Sequence, residues 1–206
     1  MINEILNKYN CKKYYIDLYE SLFSTMNKNE IKSILEIGID NGNSLKAWKE
    51  LFPNAIIIGL DINLKIDKMD GVILIEGDQI NVELIKKIIN QYGPFDIIID
   101  DGNHWMYIQQ ITFGLLFKSI KPNGLYIIED VIRYYIPYND MGFGKYGVIK
   151  GMKNSTLTIF REMCETKIFN SIYLSKSVNT SIQSTIKNIL IFDNKFILYS
   201  AIVVFK

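Results

Sequence analysis

Five short apolar runs constrain what this chain can fold into: "SILEIG" from Ser33, "AIIIGLD" from Ala55, "VILIEGD" from Val72, "FDIIIDD" from Phe95 and "GLYIIED" from Gly124. Each is nearly continuous in apolar residues, the pattern of parallel strands covered on both faces, and each leads into an acid. Between them, apolar residues recur at helical spacing: Leu45, Trp48, Leu51 and Phe52; Leu84, Ile85, Ile88 and Ile89; Ile108, Ile111, Leu115 and Leu116. This alternation predicts an α/β fold with a doubly wound, mostly parallel sheet, whose ligands bind beyond the carboxyl ends of the strands. The closing stretch "NILIFDNKFILYSAIVVFK" predicts two strands joined by a turn at Asp193 to Lys195, and so an antiparallel C-terminal strand.

A chain of 206 residues, 49% hydrophobic and 22% charged, suits one domain over 1–206 with a sizeable core. Residues 1–30 predict one or two amphipathic helices covering a sheet edge or a site. Residues 132–154, rich in glycine and aromatics, predict a lid over an acceptor. A net charge of +1, with no long run of like charge, gives no footing for nucleic acid or an anionic membrane, so the expected partner is a small molecule. Cys11 and Cys164 lack the spacing of a disulfide framework or a thiolate zinc site. The first residues lack the apolar core of a signal peptide, and no run approaches the ~20 residues needed to span a bilayer. The expected compartment is the cytoplasm. Nothing in the sequence decides between a monomer and a homo-oligomer.

After the first strand, "LEIGIDNGNS" places Gly38 and Gly42 around a tight turn, before a helix that Asn43 or Ser44 could cap. The dinucleotide pattern GxGxxG fails in either register, which disfavours NAD. What remains is E-x-G-x-x-x-G, which resembles the first motif of class I S-adenosylmethionine-dependent methyltransferases. S-adenosylmethionine carries an ammonium, a sulfonium and a ribose diol but no phosphate, so acids can approach it. On this reading Glu36 serves the methionine end, Asp61 the ribose hydroxyls and Asp78 the adenine amino group. Gly38, Gly42, Ser44 and Gln79 complete the candidate cofactor site. Taken singly, each acid is more often a solvated strand end or a helix cap; three at successive strand ends beside the glycine turn point to the cofactor.

Asp101 and His104 follow the fourth run, and Glu129 and Asp130 end the fifth, so three carboxylates should converge at neighbouring strand ends. Such a cluster calls for a cation, and all-oxygen ligation selects a hard divalent ion such as magnesium. That ion could hold acceptor oxygens while His104, the one histidine, removes a proton. The stretch "FDIIIDDGNHWMYIQQ" with "LLFKSIKPNGLYIIEDV" resembles magnesium-dependent macrolide sugar O-methyltransferases of the mycinamicin and macrocin type, and also cephalosporin hydroxylase-like proteins. The resemblance covers roughly Ile34 to Val131, with Asn103 where a serine is usual. It implies a seven-stranded Rossmann-like class I methyltransferase fold. It further implies Asp101, Glu129 and Asp130 as metal ligands and His104 as general base, with a sugar hydroxyl as acceptor. The alternatives are a catechol or small-phenol O-methyltransferase, in which a lysine stands where His104 does, and a catalytically silent cofactor-binding homologue.

Overall fold

The computed structural model describes residues 2–132, 154–193 and 199–206. The centre of the expected lid and the hairpin turn beyond Asp193 lie outside the described residues. The strands are β1 (Ser33–Ile37), β2 (Ile56–Asp61), β3 (Val72–Glu76), β4 (Phe95–Asp100), β5 (Ile120–Ile132), β6 (Asn188–Asp193) and β7 (Tyr199–Phe205). They form one sheet of order β3-β2-β1-β4-β5-β7-β6. β1 to β5 run parallel, and β7 is antiparallel to both β5 and β6, as expected. The order reverses between β1 and β4, and that switch point opens a crevice at their carboxyl ends.

The helices are α1 (Ile2–Lys8), α2 (Ile16–Ser24), α3 (Asn43–Leu51), α4 (Val82–Tyr92), α5 (Met106–Leu116), α6 (Thr156–Thr166) and α7 (Lys176–Thr185). The sheet separates two apolar layers. One packs α1, α2 and α3 on residues such as Ile34, Ile57, Ile97 and Val203. The other packs α4 to α7 on Leu35, Ile58, Ile98 and Ile128. Strand alternation explains this division, since successive side chains leave opposite faces.

Two local readings are corrected. α3 is not capped by Asn43 or Ser44: Gly42 stands at its N-cap with φ +73°, and no side chain caps it. β5 is longer than the run from Gly124 to Asp130. It begins at Ile120, and beyond Asp130 the ladder with β7 resumes, Val131 opposite Ser200 and Ile132 opposite Tyr199. The antiparallel partner keeps the strand extended past its acids.

α2 is held on α3 by an aromatic cluster. The ring of Tyr19 lies 5.2 Å from Trp48 and from Phe23, and Phe23 lies 5.1 Å from Phe52. All four side chains are fully buried. Such pairs add roughly 0.5–1.5 kcal/mol each beyond their area burial. They fix the segment between α1 and α2 directly over the crevice. Among the described residues, no helix is long and apolar enough to cross a membrane.

Candidate active site

The crevice floor is a close crossing of two backbones. Gly38 has φ +77°, and a Cβ there would lie 2.1 Å from the Asp101 carbonyl oxygen, so only glycine fits. Its N–H donates to the Leu60 carbonyl, and the Asp101 N–H donates to the Ile37 carbonyl, at 2.8 and 2.9 Å. The turn after β1 is tied to Asp61, whose Oδ2 accepts from the backbone N–H of Ile39 at 2.8 Å and of Asp40 at 3.3 Å. Ile62 follows Asp61 with 72% of its surface exposed, an apolar face at the rim that the sequence pattern did not flag. Asp78 is exposed and accepts from the Ile80 N–H at 3.0 Å.

Glu36 and Gln79 lie deeper than the rim. Glu36 is fully buried; its Oε2 accepts from Ser44 Oγ at 2.7 Å and from Trp48 Nε1 at 3.0 Å. Burial pushes its carboxyl up, against the opposing pull of the Lys12 ammonium and the Ser44 hydroxyl. Ser44 therefore braces Glu36 rather than its helix. The buried Gln79 donates to Thr112 Oγ1 at 2.9 Å and Asp100 Oδ1 at 3.2 Å, and accepts from the Asn103 N–H at 2.7 Å. It pins the turn after β4. Asn103 Oδ1 then accepts from the Trp105 N–H at 3.0 Å, so asparagine serves the turn in place of the usual serine.

Asp101, His104 and Asp130 come together: one ligand atom from each lies within 4.8 Å of the others. His104 Nε2 stands 3.8 Å from Asp130 Oδ2, while His104 Nδ1 is buried and makes no hydrogen bond. The carboxylates of Asp101 and Asp130 offer the oxygen ligands that a hard divalent ion such as magnesium takes, with His104 beside them. Glu129 faces Asp101 across the Lys12 ammonium. Its Oε1 pairs with Lys12 Nζ at 2.8 Å and accepts from the Tyr19 hydroxyl. Burial pushes its carboxyl up to about 8, the Asp101 charge adds to that, and Lys12 pulls it down.

Adjacent strand residues point to opposite faces, so Glu129 and Asp130 should not both reach one site. A bulge resolves this. β5 advances three residues between Ile128 and Val131 where β7 advances two, from Ile202 to Ser200, and Asp130 takes φ +50°. The extra residue re-aims one side chain, a recurring use of bulges beside active sites. Both acids then face the segment carrying Lys12, Tyr15 and Tyr19.

That segment was foreseen as a cover, but its polar contacts were not. Lys12 Nζ is buried among Glu36 Oε1 at 2.8 Å, Asp101 Oδ2 at 2.7 Å and Glu129 Oε1 at 2.8 Å. The Tyr15 hydroxyl donates to Asp130 Oδ1 at 2.7 Å. Burial lowers the affinity of Lys12 for its proton, but the charges of Asp101, Glu129 and Glu36 outweigh it and hold the ammonium well above the ordinary lysine range. The available signal was the spacing of Lys12, Tyr15 and Tyr19, which gathers three polar tips at the start of α2: Lys12 in the turn before it, Tyr15 at its N-cap and Tyr19 in its first turn.

Trp105 follows His104 and is half-buried, its ring edge-on to Tyr107 at 5.8 Å, with Tyr107 in turn 6.1 Å from Tyr173. Tyr134, Tyr135, Tyr138, Phe143 and Tyr146 lie outside the described residues.

The strand order, the glycine turn after β1 and the antiparallel β7 make this a class I methyltransferase fold. Within that class, the chain is similar to the macrolide sugar O-methyltransferases, as its motifs implied. It is 40% identical over 126 residues to mycinamicin VI 2''-O-methyltransferase of Micromonospora griseorubida, covering 57% of this chain and 30% of that one. It is 34% identical over 156 residues to demethylmacrocin O-methyltransferase of Streptomyces fradiae, covering 69% and 38%. The solved structure of MycE, a methyltransferase of the mycinamycin biosynthetic pathway in complex with Mg, SAH and mycinamycin VI, superposes with a TM-score of 0.74 and 26% identity. It spans 98% of this chain and 53% of MycE. The chain thus spans less than half the length of these curated relatives and about half of MycE. No protein-family model matches it.

Proposed function

We propose that this chain is a magnesium-assisted O-methyltransferase that uses S-adenosylmethionine to methylate a hydroxyl of a sugar or glycosylated small molecule. The observation that carries the proposal is the Asp101, His104 and Asp130 cluster beside the Gly38 turn at the switch point of the sheet. S-adenosylmethionine supplies an activated methyl group. Its ribose falls to Asp61, its adenosine to the rim bearing Ile62 and Asp78, and its methionine end to the side where Glu36 lies.

A divalent ion held by Asp101, Glu129 and Asp130 would supply electrostatic stabilisation of a hydroxyl oxygen as it loses its proton. His104 stands next to Asp130, with Nε2 on the side of the cluster, and accepts that proton as general base. Trp105 and Tyr107 line the approach beyond His104 and offer ring faces to the apolar side of a sugar. The relatives, named as O-methyltransferases of mycinamicin VI, demethylmacrocin and L-olivosyl-oleandolide, support the sugar hydroxyl as acceptor. A lysine at position 104 would have favoured the catechol reading.

Calorimetric titration with S-adenosylhomocysteine tests the cofactor half of the proposal, and labelled methyl transfer to glycosylated macrolides tests the acceptor half. Binding of S-adenosylhomocysteine with transfer to a sugar hydroxyl is expected. Absence of S-adenosylhomocysteine binding would overturn the function. Binding with transfer only to catechols would overturn the acceptor class.

A further inference from the structure

The loop joining α6 to α7 is held on α5 by buried polar side chains, yet it turns two apolar ones outward. Ser171 Oγ donates to Gln110 Oε1 at 2.6 Å, and Asn179 Oδ1 accepts from the Ser171 N–H at 3.0 Å. Asn179 Nδ2 donates to the carbonyls of Ser171 and Leu174 at 2.9 and 3.2 Å, and the Tyr173 N–H donates to Ser171 Oγ at 3.2 Å. Ser171, Gln110 and Asn179 are buried, so this network fixes the loop. Between its anchors, Ile172 is 60% exposed and Tyr173 37%. The catalytic reading leaves Tyr173 without a task.

Tyr173 is the outer member of a row that starts beside His104. Its ring lies 6.1 Å from Tyr107 and is inclined to it by 54°. Tyr107 lies 5.8 Å from Trp105 at 63°, and Trp105 directly follows His104. Resting on the proposed sugar O-methylation, we propose that Trp105, Tyr107 and Tyr173 are stacking subsites for successive sugar rings of a glycan, whose end ring is methylated beside His104, with Tyr173 as a specificity-determining residue. The ring angles favour this occupant. A flat, rigid aglycone presents one plane, and these rings share none. Linked sugars rotate about their glycosidic bonds, so each can turn its apolar face to a different ring, and each step along the row is about the advance of one pyranose. Tyrosine hydroxyls at the ring rims add hydrogen bonds to sugar hydroxyls.

The test compares methyl rhamnoside with the methyl glycoside of a linear rhamnose trisaccharide. It measures KM and kcat for labelled methyl transfer, and binding by tryptophan fluorescence with S-adenosylhomocysteine present. The wild type should hold the trisaccharide roughly ten-fold tighter than the single sugar, as two added ring contacts allow. Tyr173→Ala should raise KM for the trisaccharide roughly three- to ten-fold, leaving kcat and the KM of the single sugar unchanged. Tyr173→Phe keeps the ring and should retain most of the preference. Ile56→Ala, exposed at the opposite end of the sheet, should alter neither substrate.

Equal affinity of the wild type for the two sugars would overturn the inference, as would a Tyr173→Ala variant that loses both alike. A stronger preference for one sugar on a flat apolar aglycone, lost in Tyr173→Ala, would give the row to the aglycone and refute the glycan. If no sugar is methylated, the methyl-transfer reading falls. Fluorescence still decides the row in that case: tighter trisaccharide binding that Tyr173→Ala abolishes supports it, and no difference refutes it.

Discussion

Replacing Gly38 by alanine tests the backbone crossing on which the whole site rests. The new Cβ would lie 2.1 Å from the Asp101 carbonyl oxygen, 2.6 Å from its carbon and 2.6 Å from Gly102 Cα. All three are backbone atoms of the turn that carries Asp101 and His104, so no side chain can swing away. The φ of +77° adds a second cost. A left-handed alanine costs roughly 1–2 kcal/mol, and forcing packed backbone apart costs about 1–3 kcal/mol. The sum is about 2–5 kcal/mol. For a chain of this length that is a fall in melting temperature on the order of 5–15 °C. Gly71→Ala is the control: φ is +72°, but the Cβ would meet Lys49 Cε at 2.9 Å, the far part of a flexible side chain. It should cost about 1–2 kcal/mol, the backbone share alone. Urea denaturation of both variants measures the difference. Gly38→Ala should also weaken S-adenosylhomocysteine binding, whereas Gly71→Ala should not. Equal destabilisation by the two would refute the claim that β1 and β4 cross in contact at Gly38.

Other expectations follow from the same geometry. Asp61→Ala should weaken S-adenosylhomocysteine by roughly 1.5–3 kcal/mol, the worth of a charged acceptor on hydroxyls; unchanged affinity in calorimetry would place the ribose elsewhere. His104→Ala should slow single-turnover methyl transfer on the order of 100- to 10,000-fold, the usual loss for a general base, with its melting temperature nearly kept; a normal rate per folded molecule would make the histidine structural. Burial pushes the Asp100 carboxyl up to about 7, against the hydrogen bonds from the Gly102 N–H, Gln79 and Tyr126. The native state therefore holds a proton that the unfolded chain has already released, and stability is lost as pH rises from about 4 towards 7. Asp100→Asn should remove that slope and be the more stable protein at pH 8 relative to pH 5; parallel pH profiles would contradict it.

Much of the fold is legible because strands buried on both faces leave uninterrupted apolar runs, and β1, β2 and β4 are such strands. The acids that follow them are legible as strand ends. α6 and α7 were not foreseen: "KSVNTSIQST" offers little more than Val178 and Ile182 as an apolar stripe, and Ser175 begins the helix by accepting from the Val178 N–H. The pairing of Glu129 and Asp130 on one site needed the bulge, which depends on the register with β7. Lys12, Tyr15 and Tyr19 escaped because their partners are distant in sequence. A lysine beside two tyrosines reads as the polar face of a surface helix until Asp101 and Glu129 are brought beneath it.

The most direct test of the account is methyl transfer from labelled S-adenosylmethionine to a glycosylated macrolide, run with excess magnesium and again with EDTA, on the wild type and on Asp130→Asn. The account predicts label on a sugar hydroxyl for the wild type with magnesium, and none in EDTA or with Asp130→Asn, while all retain S-adenosylhomocysteine binding. Undiminished transfer in EDTA by the wild type, or with magnesium by Asp130→Asn, would contradict it.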